Sequence, residues 1–159
     1  MSVNSNSEYG ARPLVWFAVY QLLWHLLLPL AFVRLAWRAR HAFSYLHHIP
    51  ERLGFGYSKP ITQGSIWIHA VSVGETRAAE PLIDALLQAY PQHHIVLTCM
   101  TATGRATGAA LFGINSRVHQ SYLPYDTLSM TRRFLAHFKP ALCVLMETEV
   151  WPSLVQACQ

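Results

Sequence analysis

The chain reads as an α/β protein with a parallel sheet and flanking helices, because short apolar runs alternate with longer helical patterns over its last two thirds. Those runs are five or six residues long and alternate with helical patterns of ten or more, as expected of βαβ units with a parallel sheet. The first third differs too sharply in composition to share their core.

Residues 1–13 form an N-terminal tail. Residues 14–33, LVWFAVYQLLWHLLLPLAFV, contain no Asp, Glu, Lys or Arg. As a helix such a run rises about 30 Å, the hydrocarbon thickness of a bilayer, so it is expected to be a transmembrane anchor. Gln21, His25 and Pro29 are of kinds that spanning helices tolerate. A cleaved signal peptide fits poorly. The apolar run is too long, Glu8 lies where a signal is positive, and Arg34, Arg38 and Arg40 follow where a small-residue cleavage site should be. With Arg52 these arginines outweigh Arg12 on the other flank, which predicts a single-pass protein with its bulk on the cytoplasmic side. The net charge of +4 reflects this cluster, which suits anionic headgroups. No helix-turn-helix, zinc-finger or RNP-like pattern supports nucleic-acid binding. Cys99, Cys143 and Cys158 are widely spaced and odd in number, which favours buried free thiols over disulfides.

Residues 34–65 form a basic membrane-proximal arm and then a linker, LGFGYSKPITQGS, rich in turn residues. Residues 66–159 form the Rossmann-like domain. Its expected elements are a strand at 66–71, a helix at 77–90 with Pro81 in or just after the first turn, and a strand at 95–99. A helix at 103–112, a strand at 118–123, a helix at 127–138 and a strand at 141–146 follow, with a last helix starting near Trp151. Four strands are few for an open parallel sheet, so the chain is expected to be the N-terminal piece of a longer protein.

HAVSVGE, His69 to Glu75, joins the first strand to its helix and puts a carboxylate at the edge of the sheet where open α/β folds keep ligands. Glu75 is either a first-turn acid favoured by the helix dipole or a general base toward a hydroxyl. Ser72 and Gly74 would let a ligand approach the backbone. Glu147 and Glu149 of ETEVWP follow the fourth strand at the same edge, and would either support Glu75 or stand as solvated loop acids. In TATGR, Thr103, Gly104 and Arg105 make either an anion site or an ordinary helix cap. In LPYD, Asp126 is expected to cap the following helix, and Tyr125 would face a sugar or an acyl chain. The nine histidines lack metal-ligand spacing, so no metal is expected. His69 stands out by its place near Glu75, although a lone histidine is more often structural.

IWIHAVSVGE, AAEPLI, TCMTATG, YLPYD and ETEVWP, in this order and spacing, resemble the 3-deoxy-D-manno-octulosonic acid (Kdo) transferases from about Glu51 to Gln159, and the hydrophobic N-terminus also fits. The resemblance implies an inverting, metal-independent GT-B glycosyltransferase with no cofactor, at the bacterial inner membrane. Its donor would be CMP-Kdo and its acceptor a membrane-embedded lipid A precursor, lipid IVA. It implies Glu75 as general base, Glu147 and Glu149 as supporting acids, and Arg77, Arg105 and the basic arm as phosphate or headgroup contacts. The second, donor-binding domain of such enzymes is expected to lie beyond these residues, so the piece alone is expected to be inactive. Two alternatives stand beside this reading. One is a membrane-associated GT-B enzyme using a UDP-sugar; the other is a non-catalytic membrane-tethered binding module.

Overall fold

The structure, a computed structural model, describes residues 8–40, 47–57, 60–61, 64–147 and 150–158. Four strands, β1 (Ser65–His69), β2 (His94–Cys99), β3 (Val118–Tyr122) and β4 (Pro140–Leu145), form one parallel sheet in the order β3-β2-β1-β4. α1 (Glu8–Ala39) and α2 (Ile49–Arg52) precede it. α3 (Val73–Ala89), α4 (Ala102–Phe112), α5 (Leu128–Phe138) and α6 (Pro152–Cys158) follow the strands in turn.

β1 is buried along its whole length because its residues alternate between two cores. Ile66 and Ile68 pack with Ile83, Leu87 and Phe112 of α3 and α4. Trp67 faces the other way, among Phe134 and Phe138 of α5 and Leu154 of α6. Each such side chain contributes about 1.5–3 kcal/mol by leaving water. The sheet is therefore the middle layer of three, as the alternating pattern predicts.

Strand order decides where a ligand would sit. The chain steps outward from β1 through β2 to β3, then returns across β1 to lay down β4. The direction reverses between β1 and β4, and open α/β sheets bind ligands outside the carboxyl ends of their strands at such a point. His69 pairs with Leu145 there, and the Met146 N–H donates to the His69 carbonyl at 3.0 Å.

Three expectations are corrected locally. α3 starts at Val73 rather than Arg77, because Ser72 caps it. Pro81 consequently lies inside the helix, where its missing N–H deprives the Arg77 carbonyl of its helical partner; both residues are exposed, so water can take that bond. Thr127, not Asp126, caps α5. The Asp126 carboxylate instead accepts from the Ser153 and Leu154 N–H groups at 2.9 and 3.0 Å, at the start of α6. The thiols are free, but only Cys99 is fully buried; Cys143 is half-buried and Cys158 exposed.

The arm is also more structured than its composition suggests. Glu51 and Arg52 of α2 are only 5% and 3% exposed. Arg52 lies 3.8 Å over the Tyr122 ring and donates to the Met100 carbonyl, so it belongs to the fold and not to the cations expected to flank an anchor. Gly54 follows with φ +80°, and a Cβ there would stand 2.9 Å from the Met130 carbonyl of α5. Close packing and a left-handed backbone both demand glycine.

α1 runs beyond the expected anchor at both ends, and its stretch Val15–Ala39 is long and apolar enough to cross a membrane. One face of it rests on the domain. The Tyr20 hydroxyl donates to Asp126 at 2.7 Å, Gln21 donates to the Ser153 hydroxyl at 2.5 Å, and the Leu128 N–H donates to Gln21 at 3.0 Å. Trp24 meets Tyr125 and Trp151, and Phe32 also meets Tyr125.

Candidate active site at the switch point

The loop leaving β1 closes on itself through Glu75. Ser72, in extended conformation, is the N-cap of α3, and its hydroxyl oxygen accepts from the Glu75 N–H. The Ser72 hydroxyl donates to Glu75 Oε1 at 2.6 Å, and the Val71 N–H donates to Oε2 at 2.7 Å. Ser72 and Glu75 thus form a variant of the reciprocal capping box, satisfying donors that the helix start would otherwise leave open. The carboxylate is half-buried and held by two short bonds. Each oxygen retains a lone pair, so capping fixes the direction of the group without exhausting it.

Gly74, in the same turn, is exposed, and a Cβ there would meet nothing closer than 4.0 Å. Neither packing nor backbone conformation within the chain calls for glycine here. The turn is therefore open at Gly74 to close approach from outside.

The loop leaving β2 buttresses this turn. The Met100 N–H and the Thr101 hydroxyl both donate to the Val71 carbonyl, at 3.3 Å each. Thr101 also caps α4, accepting from the Gly104 N–H at 3.0 Å. A Cβ on Gly104 would fall 2.9 Å from the Thr101 hydroxyl and 3.4 Å from the Val71 carbonyl oxygen, so glycine permits the close approach. The cap alternative accounts for these contacts in TATGR. Thr103 is exposed in the first turn of α4.

Arg105 is occupied elsewhere than expected. Its guanidinium takes both oxygens of Glu51, with Nη1 at 2.5 Å and Nη2 at 3.1 Å, a fork-to-fork ion pair. Glu51 also accepts from the Tyr122 N–H at 2.9 Å, the Ser121 hydroxyl at 3.4 Å and His48 at 3.0 Å. Composition did not point to Glu51, which sits in a stretch read as a basic arm. Its signal was a lone acid next to an arginine just before a glycine-rich turn.

His69 is buried, 2% exposed, beneath the loop rather than open to a ligand. Its Nδ1 lies 2.8 Å from the Thr98 hydroxyl, which also accepts from Trp67 Nε1 at 2.7 Å. Nε2 is buried with no hydrogen-bond partner among the described residues. Burial holds the imidazole down at about 4, against a smaller opposing pull from Glu75 and Thr98. Because an unfolded histidine takes up its proton near pH 6.5, the unfolded chain binds more protons between pH 6.5 and 4. His69 therefore contributes its full stability above pH 6.5 and loses it as pH falls toward 4. The expected loss is about 3 kcal/mol, measured by urea unfolding of the chain in detergent across that range. His69→Gln should flatten this part of the profile, and an unchanged slope would remove His69 as its source.

The remaining candidates separate into two groups. Glu147 lies at the carboxyl end of β4 across the switch point from the Glu75 loop, and is exposed; Glu149 lies outside the described residues. Arg77 is exposed on α3, one turn from the Glu75 loop. Tyr125 lies under α1 between Trp24 and Phe32. It lines a cavity of about 300 Å³ with Arg34, Arg38, Arg52, Met100 and Thr101. Through Thr101 that cavity borders the loop held by Glu75. Arg52 Nε is buried with no hydrogen-bond partner among the described residues.

Comparison with known proteins agrees with this architecture. The family described as 3-Deoxy-D-manno-octulosonic-acid transferase (kdotransferase) matches residues 47–159. A 3-deoxy-D-manno-octulosonic acid transferase of Bordetella pertussis is 44% identical over 148 residues, covering 89% of this chain and 34% of the relative. One from Haemophilus influenzae is 44% identical over 113 residues, 70% of this chain and 26% of the relative. A probable mitochondrial 3-deoxy-D-manno-octulosonic acid transferase of Arabidopsis thaliana is 31% identical over 141 residues, 89% of this chain and 31% of the relative. The chain thus spans about a third of the length of these relatives. With an α/β sheet whose β1 loop carries SVGE at the switch point, and a family match across most of its length, the chain belongs to the 3-deoxy-D-manno-octulosonic acid transferase family.

Proposed function

We propose that the whole protein is an inverting glycosyltransferase that moves Kdo from CMP-Kdo to a lipid A precursor in lipopolysaccharide biosynthesis. The observation that carries this reading is the Glu75 carboxylate, oriented by the Val71 N–H and Ser72 hydroxyl beside the exposed Gly74, at the carboxyl edge of β1. An acceptor hydroxyl held there attacks the anomeric carbon of Kdo. The bond from that carbon to the phosphate oxygen breaks, CMP leaves with the electron pair, and the hydroxyl proton passes to Glu75. Glu147 lies across the switch point from the Glu75 loop and is taken as a supporting acid, a role that the family resemblance also gives to Glu149.

This chain supplies the acceptor side in that reading, and the donor site belongs to the part of the longer relatives that it does not span. An apolar helix followed by Arg34, Arg38 and Arg40 supports a place at an anionic membrane surface, which this reading takes as the cytoplasmic face of the bacterial inner membrane, where a lipid acceptor is met. Full-length protein in detergent, given lipid IVA with labelled CMP-Kdo or a labelled UDP-sugar, is expected to label the lipid only from CMP-Kdo. Labelling from a UDP-sugar alone would assign a different donor. Labelling from neither would favour a binding module.

A further inference from the structure

We propose that α1 does not cross the bilayer but lies along it, as a monotopic seat that buries its outward face in one leaflet while the sheet edge rests on its inner face. Residues of α1 fall every 100° around the axis, and its contacts sort accordingly. Tyr20, Gln21, Trp24, Phe32 and Leu35 share one arc and meet or bury against the domain. Val19, Leu22, Leu23, Leu26, Leu30 and Val33 are 41–66% exposed and lie on the opposite arc. Composition cannot show this division, because both faces are apolar. Docking makes the helix two-sided.

The contacts to the domain run from Tyr20 to Leu35, most of the length of the candidate span. A helix upright in the bilayer in this pose would draw Asp126, Arg52 and the polar loops after β2 and β3 into hydrocarbon, an environment that charged groups avoid unless they reach water. Turning the helix parallel to the surface removes the conflict. The apolar arc then enters the acyl region, and the domain stays in water.

The occupant of the outward face is a lipid leaflet with anionic headgroups. Charge favours it, since Arg34, Arg38 and Arg40 are exposed at the carboxyl end of the same helix, where long cationic side chains can reach headgroups beside a buried apolar face. A continuous exposed stripe of leucine and valine far exceeds the scattered apolar residues of ordinary surfaces. This inference does not depend on the reaction assigned to Glu75, so either can fail alone.

The test uses full-length protein with Cys99, Cys143 and Cys158 replaced by alanine. Single spin labels are attached through Val19→Cys, Leu23→Cys, Leu26→Cys, Leu30→Cys or Val33→Cys, all on the exposed arc. In vesicles of phosphatidylethanolamine and phosphatidylglycerol, depth is read from the ratio of oxygen to nickel-chelate accessibility. All five labels are expected at one common depth, about 5–10 Å below the headgroups. A depth that rises to Leu26 and falls again toward Val33, changing by about 1.5 Å per residue, would show a spanning helix and overturn the proposal. Water-exposed labels throughout would overturn it as well, by showing that the face is not in lipid.

Discussion

Glu75→Gln is expected to lower Kdo transfer by the full protein about 100- to 10,000-fold, the range that a positioned general base supplies. The exchange separates catalysis from capping. Glutamine serves the capping box nearly as well as glutamate, because its carbonyl can accept from the Val71 N–H while its amide faces a rotated Ser72 hydroxyl. The helix start should lose no more than about 1 kcal/mol, the usual cost of weakening a cap. What the amide cannot do is take a proton from an acceptor hydroxyl. Steady-state transfer assays beside thermal unfolding would report both quantities. Transfer within a few-fold of the parent protein would return Glu75 to a capping role alone.

Removing Glu51 should cost stability rather than chemistry. Glu51→Ala leaves the Arg105 guanidinium and the Tyr122 N–H without their shared partner, and an uncompensated, largely buried charge of this kind costs about 3 kcal/mol. Arg105 retains some access to water, with its side chain 18% exposed, which keeps the figure toward the lower end of the range for buried pairs. The double variant Glu51→Met with Arg105→Met should lose less than Glu51→Ala, because no charge remains to be buried. Urea unfolding of the three proteins would decide. A single-variant loss below about 1 kcal/mol would mean that water already screens the pair.

Local pattern made most of the domain legible. Each strand lies within about two residues of its expected range, because the strands are short runs set between helices that carry a 3.6-residue stripe. The start of α3 was missed by four residues for a definite reason. Ser72, Val73 and Gly74 are poor helix formers, and only the Ser72 to Glu75 capping spacing shows that the first turn is helical. Placing Glu75 at the carboxyl edge of the sheet was legible; the two hydrogen bonds that orient it were not.

Contacts distant in sequence were hidden. Glu51 meets Arg105, fifty-four positions on, so nothing local distinguishes it from a solvated acid. Tyr20 meets Asp126 across 106 positions, while hydropathy weighs α1 by composition alone. A length criterion identifies a helix suited to lipid, but its orientation depends on what it docks against.

Asp126 gathers three donors from two helices on one carboxylate: the Tyr20 hydroxyl from α1, and the Ser153 and Leu154 amides from α6. The joint makes the lipid-facing helix and the last helix mechanically one piece. If α1 tilts or withdraws, it pulls on the carboxylate that caps α6, so the start of that helix feels the displacement directly. Through this lever, a disturbance of the lipid against α1 would reach the start of α6 without any messenger crossing the hydrophobic core.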